Sequence, residues 1–512
     1  MSQMNMNMSD TRSRGTLDRL LAIFGDVRAG EGATVLLMSL NVFVLLVAYY
    51  ILKTVREPLI LMAGGAELKS YAAAAQALTL IAYVPLYGWL ATRLPRQKFL
   101  RVVIFFFVGC IQLFYFGSRI GVPHLGFIFF VWVGIFSLTT IAQFWSYANE
   151  IYARADGDRL FPLIAVGSAA GAPLGAALAE RLFALGLSPY VMMEIAAGIL
   201  LLHLCLYRVL SRCAAAGGTA QEQIKPGNGF ALVLKSRYLS LIALFLVLLN
   251  IVNTVGEYIL GQAVVTRGNA EAAVDHVFNK EAFIGTFYGK YFFWTNVATI
   301  LIQAFLVSRI VKRFGMGGVL LALPVVAFGA YGLAAVGAGL TALLYVKIAE
   351  NSTDYSVMNT GKQMLWLPTS PEEKYKAKQA IDTFFVRSGD MLAAAVVFLG
   401  THMLNFGVAG FAHTNIAVVL IAIGVAVLML REYRRLTAPR IGDEVQDVLP
   451  PAVKRQSKQL NAFVLLITSA YDAIKPYCVH VSVRACDCND QPPFLQQSKS
   501  ERLRQNELTR PK

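Results

Sequence analysis

Ala33-Thr-Val-Leu-Leu-Met-Ser-Leu-Asn-Val-Phe-Val-Leu-Leu-Val-Ala-Tyr-Tyr-Ile-Leu-Lys-Thr-Val55 runs without a charge from Ala33 to Leu52. A helix rises about 1.5 Å per residue, so about 20 apolar residues cross the roughly 30 Å hydrocarbon core of a bilayer. This stretch is long enough to do so, and runs of that length recur as far as Leu430. Composition agrees. The chain is 56% hydrophobic and 15% charged, with a mean hydropathy of +0.55, against about a quarter charged in an ordinary soluble domain. The reading is an all-α polytopic membrane protein of about twelve transmembrane helices.

Hydrophobic runs broken by charged or Gly/Pro turns predict spans near 33–55, 70–92, 99–118, 123–150, 160–185 and 189–210. A second set follows near 238–265, 282–311, 316–337, 340–366, 379–402 and 408–431. Between the two sets lies a polar stretch from Ser211 to Arg237 with Lys-Pro-Gly-Asn-Gly, the composition of a linker. The expected organisation is a cytoplasmic N-terminal segment (1–32), a six-helix bundle (33–210), a cytoplasmic linker (211–237), a second six-helix bundle (238–435) and a cytoplasmic tail (436–512). Leu17, Leu20, Leu21 and Phe24 have helical spacing interrupted by Asp18, Arg19 and Asp26, which suits a short interfacial helix and not a cleavable signal. The tail is polar, and its one apolar stretch, Leu460 to Tyr471, is too short to span, so a largely disordered extension is expected.

Lysine and arginine mark the cytoplasmic loops. Arg93, Arg96, Lys98 and Arg101, then Arg154 and Arg159, then Arg309, Lys312 and Arg313, then Lys374, Lys376 and Lys378 fall on one side. The opposite loops hold chiefly Lys69, Arg119, Arg267 and Lys280. The expectation is a bacterial inner membrane protein with both termini cytoplasmic. Topology then accounts for the net charge of +15 with no nucleic-acid partner. The six cysteines form no zinc or disulfide framework. Gly285-Thr-Phe-Tyr-Gly-Lys290 is one residue short of a phosphate-binding loop and lacks its hydroxyl, and no hydrolase or metalloprotease motif occurs. No catalytic residue, metal or cofactor is expected, and the oligomeric state stays open. A transporter is the class that remains.

Ionisable residues inside spans are expensive and mark function or an internal pair. They concentrate in spans one, four, seven and ten: Lys53, Arg56 and Glu57; Gln143, Tyr147, Asn149 and Glu150; Asn250, Asn253, Thr254 and Glu257; Lys347, Glu350, Asn351, Asp354 and Lys362. Residues seven apart on a helix return to within about 20° of one another, so Gln143 lies over Glu150, Asn250 over Glu257 and Lys347 over Asp354. Lys347 with Glu350, and Arg56 with Glu57, can equally be structural ion pairs. Twelve spans in two parallel halves is the layout of the major facilitator fold, whose first and fourth spans in each half line a central cavity. A short echo, Thr54-Val-Arg-Glu-Pro-Leu59 against Thr254-Val-Gly-Glu-Tyr-Ile259, fits duplication. In span five, Gly167, Gly171 and Gly175 allow close helix contact.

Four stretches carry a resemblance to a known family. They are Tyr50-Ile-Leu-Lys-Thr-Val-Arg-Glu57; Phe144-Trp-Ser-Tyr-Ala-Asn-Glu-Ile151 followed by Arg159-Leu-Phe-Pro-Leu163; the surroundings of Glu257; and Asp354-Tyr-Ser-Val-Met-Asn-Thr-Gly-Lys-Gln-Met-Leu-Trp-Leu-Pro368 with Lys376-Ala-Lys-Gln-Ala-Ile-Asp382. Together they resemble the nucleotide transporters of plastids and intracellular bacteria that exchange ATP for ADP, in a divergent bacterial branch. The likeness covers about Val27 to Arg435. It implies that Lys53, Glu150, Glu257 and Lys362 are charged residues required for transport. It departs from the family at Thr54, at Met358-Asn-Thr-Gly and at Gln363, changes that on this reading touch the substrate region.

The implied substrate is a nucleotide, which needs cations for its phosphates and aromatic or amide surfaces for its ring. Lys53, Arg56 and Lys362 are the candidates for the first. Trp145, Tyr147, Asn149 and Tyr355 are the candidates for the second, with Asn253 and Asp354 completing the set. Glu150 and Glu257 are expected to pair with Lys53 or Lys362 when the cavity is empty. The alternative is a proton- or ion-coupled symporter for another organic anion, with Glu150, Glu257 or Asp354 titrating.

Overall fold

The computed structural model describes residues 15–22, 26–93, 96–152, 154–213, 229–370 and 372–437. Most of the expected linker and all of the tail, Leu460 to Tyr471 included, lie outside the described residues.

Helices make up most of the described chain, with no strand among the described residues. The helix Gly32–Arg93 is too long for one crossing, and Gly64 and Gly65 break it. Gly65 has φ +68°, a left-handed value that glycine adopts without strain. Spans one and two therefore cover 32–63 and 66–93. Spans three to six are Arg96–Arg119, Leu125–Ile151, Arg154–Ala184 and Pro189–Cys213. After a short helix, Gly229–Lys235, span seven runs from Arg237 to Val274. Gly315, at φ +59°, divides the next run into span eight (280–314) and span nine (316–335). Span ten comprises Leu340–Thr353, a π-helical turn Asp354–Met358 and Asn359–Met364. Span eleven alternates π turns at Glu373–Ala377 and Ile381–Phe385 with α-helix before Val386–His402, and span twelve is Val408–Thr437.

Nine described helical runs are long and apolar enough to cross a membrane. The breaks at Gly64–Gly65 and Gly315 turn two of those nine into four, and span ten supplies the twelfth. Span ten falls outside the nine because Lys347, Glu350 and Asp354 lower its hydropathy. Those residues are paired inside the protein, Lys347 with Glu350 and Asp354 with Lys362.

At the N-terminus the short helix Thr16–Leu21 is tied to span one through Asp18. Its carboxylate accepts the backbone N–H of Gly15 (3.0 Å), Gly30 (2.9 Å) and Gly32 (2.9 Å), satisfying a donor that the first turn of span one leaves open. Beside it, Glu31 pairs with the guanidinium of Arg159, which also donates to Asp156 at 2.8 Å and to the Asp26 carbonyl at 2.6 Å. Burial pushes the Glu31 carboxyl up. The hydrogen bond from Arg159, the Arg28 N–H and the charge of Arg159 outweigh that and hold it below its ordinary value of 4.5.

The glycine stripe of span five packs on the backbone of span one. A Cβ at Gly171 would lie 2.5 Å from the Phe43 carbonyl, one at Gly175 2.7 Å from that of Val47, and one at Gly167 would overlap that of Ser39. The first six spans meet the last six through span five against span eight and the Gly32–Arg93 helix against span eleven. Phe183 fills the space over Gly285, Glu180 covers Gly289, and Ala66 faces Gly261. His402 Nε2 and Glu67 Oε1 are 2.7 Å apart. These contacts all lie at the end of the molecule that carries the turns at 64–65, 185–188 and 403–407.

Candidate functional site

Beneath that closed end lies a cavity of about 260 Å3 between the two sets of spans. Span one contributes Tyr49, Lys53 and Arg56; span two, Lys69, Ser70, Ala73 and Gln76; span four, Phe130. Span seven contributes Asn250, Asn253, Thr254, Glu257 and Tyr258; span eight, Phe292; span ten, Asn351 and Tyr355; span eleven, Arg387 and Asp390. A smaller side cavity of about 50 Å3 shares Asn250, Asn253 and Asn351, and adds Glu350, Asp354 and Lys362.

The polar stripe of span seven faces the centre, as seven-residue spacing expects: Asn250 and Glu257 line the same cavity. Span ten turns Glu350, Asn351 and Asp354 to the side cavity, but Lys347, expected over Asp354, lines neither cavity and is buried against Glu350 and Asn253. The π turn of span ten then matters. Eight residues of unbroken α-helix would leave Asp354 and Lys362 about 80° apart. The wider turn at Asp354–Met358 takes up most of that angle, so Lys362 Nζ reaches Asp354 Oδ1 at 3.1 Å.

Each cation about the cavity except one has a carboxylate. Arg56 Nη2 lies 2.6 Å from Glu57 Oε1, with its guanidinium 4.1 Å over the Phe130 ring. Lys69 Nζ bridges Glu57 Oε2 at 2.7 Å and Glu257 Oε2 at 3.2 Å, and sits 3.4 Å from the Tyr288 hydroxyl. Lys347 donates to Glu350 at 3.1 Å and to the Asn253 side chain at 3.0 Å, with Glu257 at 4.0 Å. Glu257 also accepts from Tyr291 at 2.9 Å, and Glu350 from Tyr331 at 2.8 Å. Arg387 lies 3.6 Å from Asp390. Lys53 is the exception. Among the described residues it has no carboxylate partner, and its Nζ lies over the rings of Phe292 (4.4 Å) and Tyr50 (5.1 Å). Aromatic faces attract a cation without neutralising it. The surroundings therefore keep one positive charge in excess.

Several expectations need correction. Trp145, Tyr147, Asn149 and Glu150 line neither of these cavities. Trp145 packs edge-on against Phe144 and Phe161, Tyr147 lies against Tyr207 of span six at 4.1 Å, and Asn149 and Glu150 are exposed at the last turn of span four. Glu257 is held by Lys69 and Lys347, not by Lys53 or Lys362. Lys69 is not a loop cation: span two begins at 66, which puts Lys69 in its first turn and buries it, 6% exposed. The sequence departures lie away from the central cavity as well. Thr54 is fully buried with its hydroxyl donating to the Tyr50 carbonyl at 2.8 Å, Met358 is fully buried, and Gln363 accepts from Lys378 at 2.8 Å. Lys53, Arg56, Asn253, Glu257 and Tyr355 do line that cavity, while Asp354 and Lys362 line the side cavity.

The sequence reading does not single out Gln76, Phe292, Arg387 or Asp390. For the last two a signal exists: both are ionisable and lie inside the predicted span 379–402, where the cost of burying a charge flags them. Gln76 and Phe292 look like ordinary span residues, and nothing in their local sequence marks them.

Comparison with known proteins agrees with this architecture. The family model described as TLC ATP/ADP transporter matches residues 11–117 and 127–437. An ADP,ATP carrier protein of Chlamydia trachomatis is 24% identical over 297 residues, which are 48% of this chain and 53% of that protein. One of Rickettsia felis is 25% identical over 303 residues, 50% of this chain and 57% of that protein. In these matches the chain spans about half the length of the relatives. Among solved structures, the nucleoside transporter NupG superposes with a TM-score of 0.59 at 12% identity, covering 78% of this chain and 99% of that one. A bacterial homologue of the iron transporter ferroportin gives 0.56 at 15% identity, covering 78% and 98%. The fold is that of a major facilitator-like transporter, and the chain belongs to the TLC ATP/ADP transporter family.

Proposed function

We propose that this protein is a secondary transporter that exchanges nucleotides of the ATP/ADP type across a membrane by alternating access. The observation that carries the reading is Lys53, the one cavity cation without a carboxylate among the described residues, facing a cavity between two sets of spans. A surplus cation in a low-dielectric cavity favours an anion, and Arg56 beside it adds donors for a phosphate chain. Asn253, Asn351 and Tyr355 offer amide and ring surfaces to the base and ribose. Asp354 and Lys362, paired in the side cavity, are a second charge set that a long polyphosphate can engage. ADP,ATP carriers among the relatives favour the same class of cargo. The basic turns favour cytoplasmic termini in a bacterial plasma membrane, an orientation in which the contacts around Ala66 and Gly261 lie at the outer face.

The test is binding of AMP, ADP and ATP to the purified protein and to Lys53→Ala. A charged hydrogen bond is worth about 1.5–3 kcal/mol, so the substitution weakens binding about tenfold or more, with a penalty that rises with phosphate number. A flat penalty, or none, rejects phosphate contact at Lys53. Competition against labelled ATP uptake by a panel of organic anions then separates nucleotide exchange from symport of another anion.

A further inference from the structure

We infer that Arg387 is a second anion-binding cation of the central cavity, held by Asp390 when the cavity is empty and transferred to a cargo phosphate when it fills. The inference rests on the nucleotide reading and adds a residue from the other set of spans. Arg387 and Asp390 both line the cavity, three residues apart on span eleven. Their ion pair is loose: Nη1 and Oδ2 are 3.6 Å apart, beyond the 2.7–3.2 Å of an N–H···O bond. Asp390 does not depend on it. Its other oxygen, Oδ1, already accepts from Asn250 Nδ2 at 2.8 Å and from Thr254 Oγ1 at 2.9 Å, both on span seven. Two hydrogen bonds thus fix the carboxylate, while the guanidinium stays at the longer distance of 3.6 Å.

Two other cations of the last six spans near the cavities are placed differently. Lys347 is 4% exposed and closely bonded to Glu350 and Asn253, and Lys362 faces the side cavity against Asp354. The Arg387 side chain is 31% exposed, and its planar fork matches two phosphate oxygens at once. Its carboxylate has a clear effect on empty and loaded states. Without cargo, Asp390 neutralises Arg387 and limits the cavity's positive excess to Lys53. With cargo, a phosphate bridging Lys53 of span one and Arg387 of span eleven touches both sets of spans, so the loaded cavity is bound to each half.

The experiment compares ADP and inorganic pyrophosphate binding to purified full-length wild type, Arg387→Gln, Arg387→Lys and Asp390→Asn. If Arg387 meets phosphate and Asp390 competes for it, the two positions change affinity in opposite directions. Arg387→Gln weakens binding about tenfold or more, and Arg387→Lys recovers part of it. Asp390→Asn keeps an oxygen for Asn250 and Thr254, removes the competing charge and tightens binding several-fold. A structural ion pair gives the other pattern, in which both substitutions weaken binding or neither changes it, and either result overturns the inference. Should Arg387→Gln fail to fold, an Asp390→Asn protein that binds no tighter than wild type overturns it alone. A wild type that binds pyrophosphate but not ADP removes the nucleotide reading, and the sign comparison on pyrophosphate then decides Arg387. Binding of neither ligand overturns both.

Discussion

Lys69→Met removes a cation that joins the two sets of spans at the closed end. Its bond to Glu57 stays within the first six spans, whereas its bond to Glu257 at 3.2 Å crosses to span seven. At an effective dielectric of about 20, a unit pair at that separation attracts by about 5 kcal/mol. Dehydration of both groups offsets much of this, and a charged hydrogen bond retains about 1.5–3 kcal/mol. If the open and closed forms differ by this bond, its loss moves their ratio by about tenfold to a hundredfold. Ala66, three residues away, reports on the change because it is 1% exposed and packs opposite Gly261. In a chain whose six native cysteines are replaced, Ala66→Cys is expected to react slowly with an external thiol reagent and at least about tenfold faster once Lys69→Met is added. Glu257→Gln in place of Lys69→Met removes the same crossing charge pair and is expected to accelerate labelling as well. Equal labelling rates with and without Lys69 would refute the reasoning, since the lysine would then contribute nothing to closure.

Three further outcomes are expected. Gly171→Leu drives a side chain into the Phe43 carbonyl and costs about 1–3 kcal/mol of stability, read as a lower unfolding temperature in detergent, whereas Gly198→Leu, whose Cβ meets nothing within 4 Å, leaves it unchanged. Tyr331→Phe takes a donor from buried Glu350, bonded at 2.8 and 2.9 Å, and lowers stability by about 1.5–3 kcal/mol, falling to about 0.5–1.5 kcal/mol if Glu350 is replaced by Gln first, because the remaining bond is neutral. Glu31 has a folded pKa below its free value of 4.5, so its pairing with Arg159 stabilises the N-terminal junction above that pH and is lost as pH falls through the folded value. Hydrogen exchange across residues 26–40 is expected to stay constant from pH 7 to about 5, after correction for intrinsic rates, and to rise only below about 4.5; a rise near neutral pH would refute this.

How much of this was legible in the sequence depends on where each residue's partner lies. Span positions follow from local hydropathy and its breaks at charged or Gly/Pro turns, and this reaches even span ten, whose hydropathy Lys347, Glu350 and Asp354 lower. Facing is also a local property of a regular helix, which is why Asn250 and Glu257 point together. Pairing is not local. Glu257 finds its cation 188 positions earlier at Lys69, and no spacing rule joins span two to span seven. Lys69 itself falls one residue outside the predicted span two, where a charge reads as a loop marker instead of a buried group. Regularity fails in the other direction at Asp354, where a π turn brings Lys362 onto a face that α-helical counting denies it. Span four misleads for a third reason: its polar end, Asn149 and Glu150, lies where the helix stops and is exposed, so polarity there carries no information about the cavity. A charge inside a span therefore does not say which partner it has, or whether it has one. The functional signal in this protein is what remains after the partners are matched. Arg56, Lys69, Lys347, Lys362 and Arg387 each have a carboxylate, and the charge on Lys53 becomes visible as a surplus only when all five pairs are known.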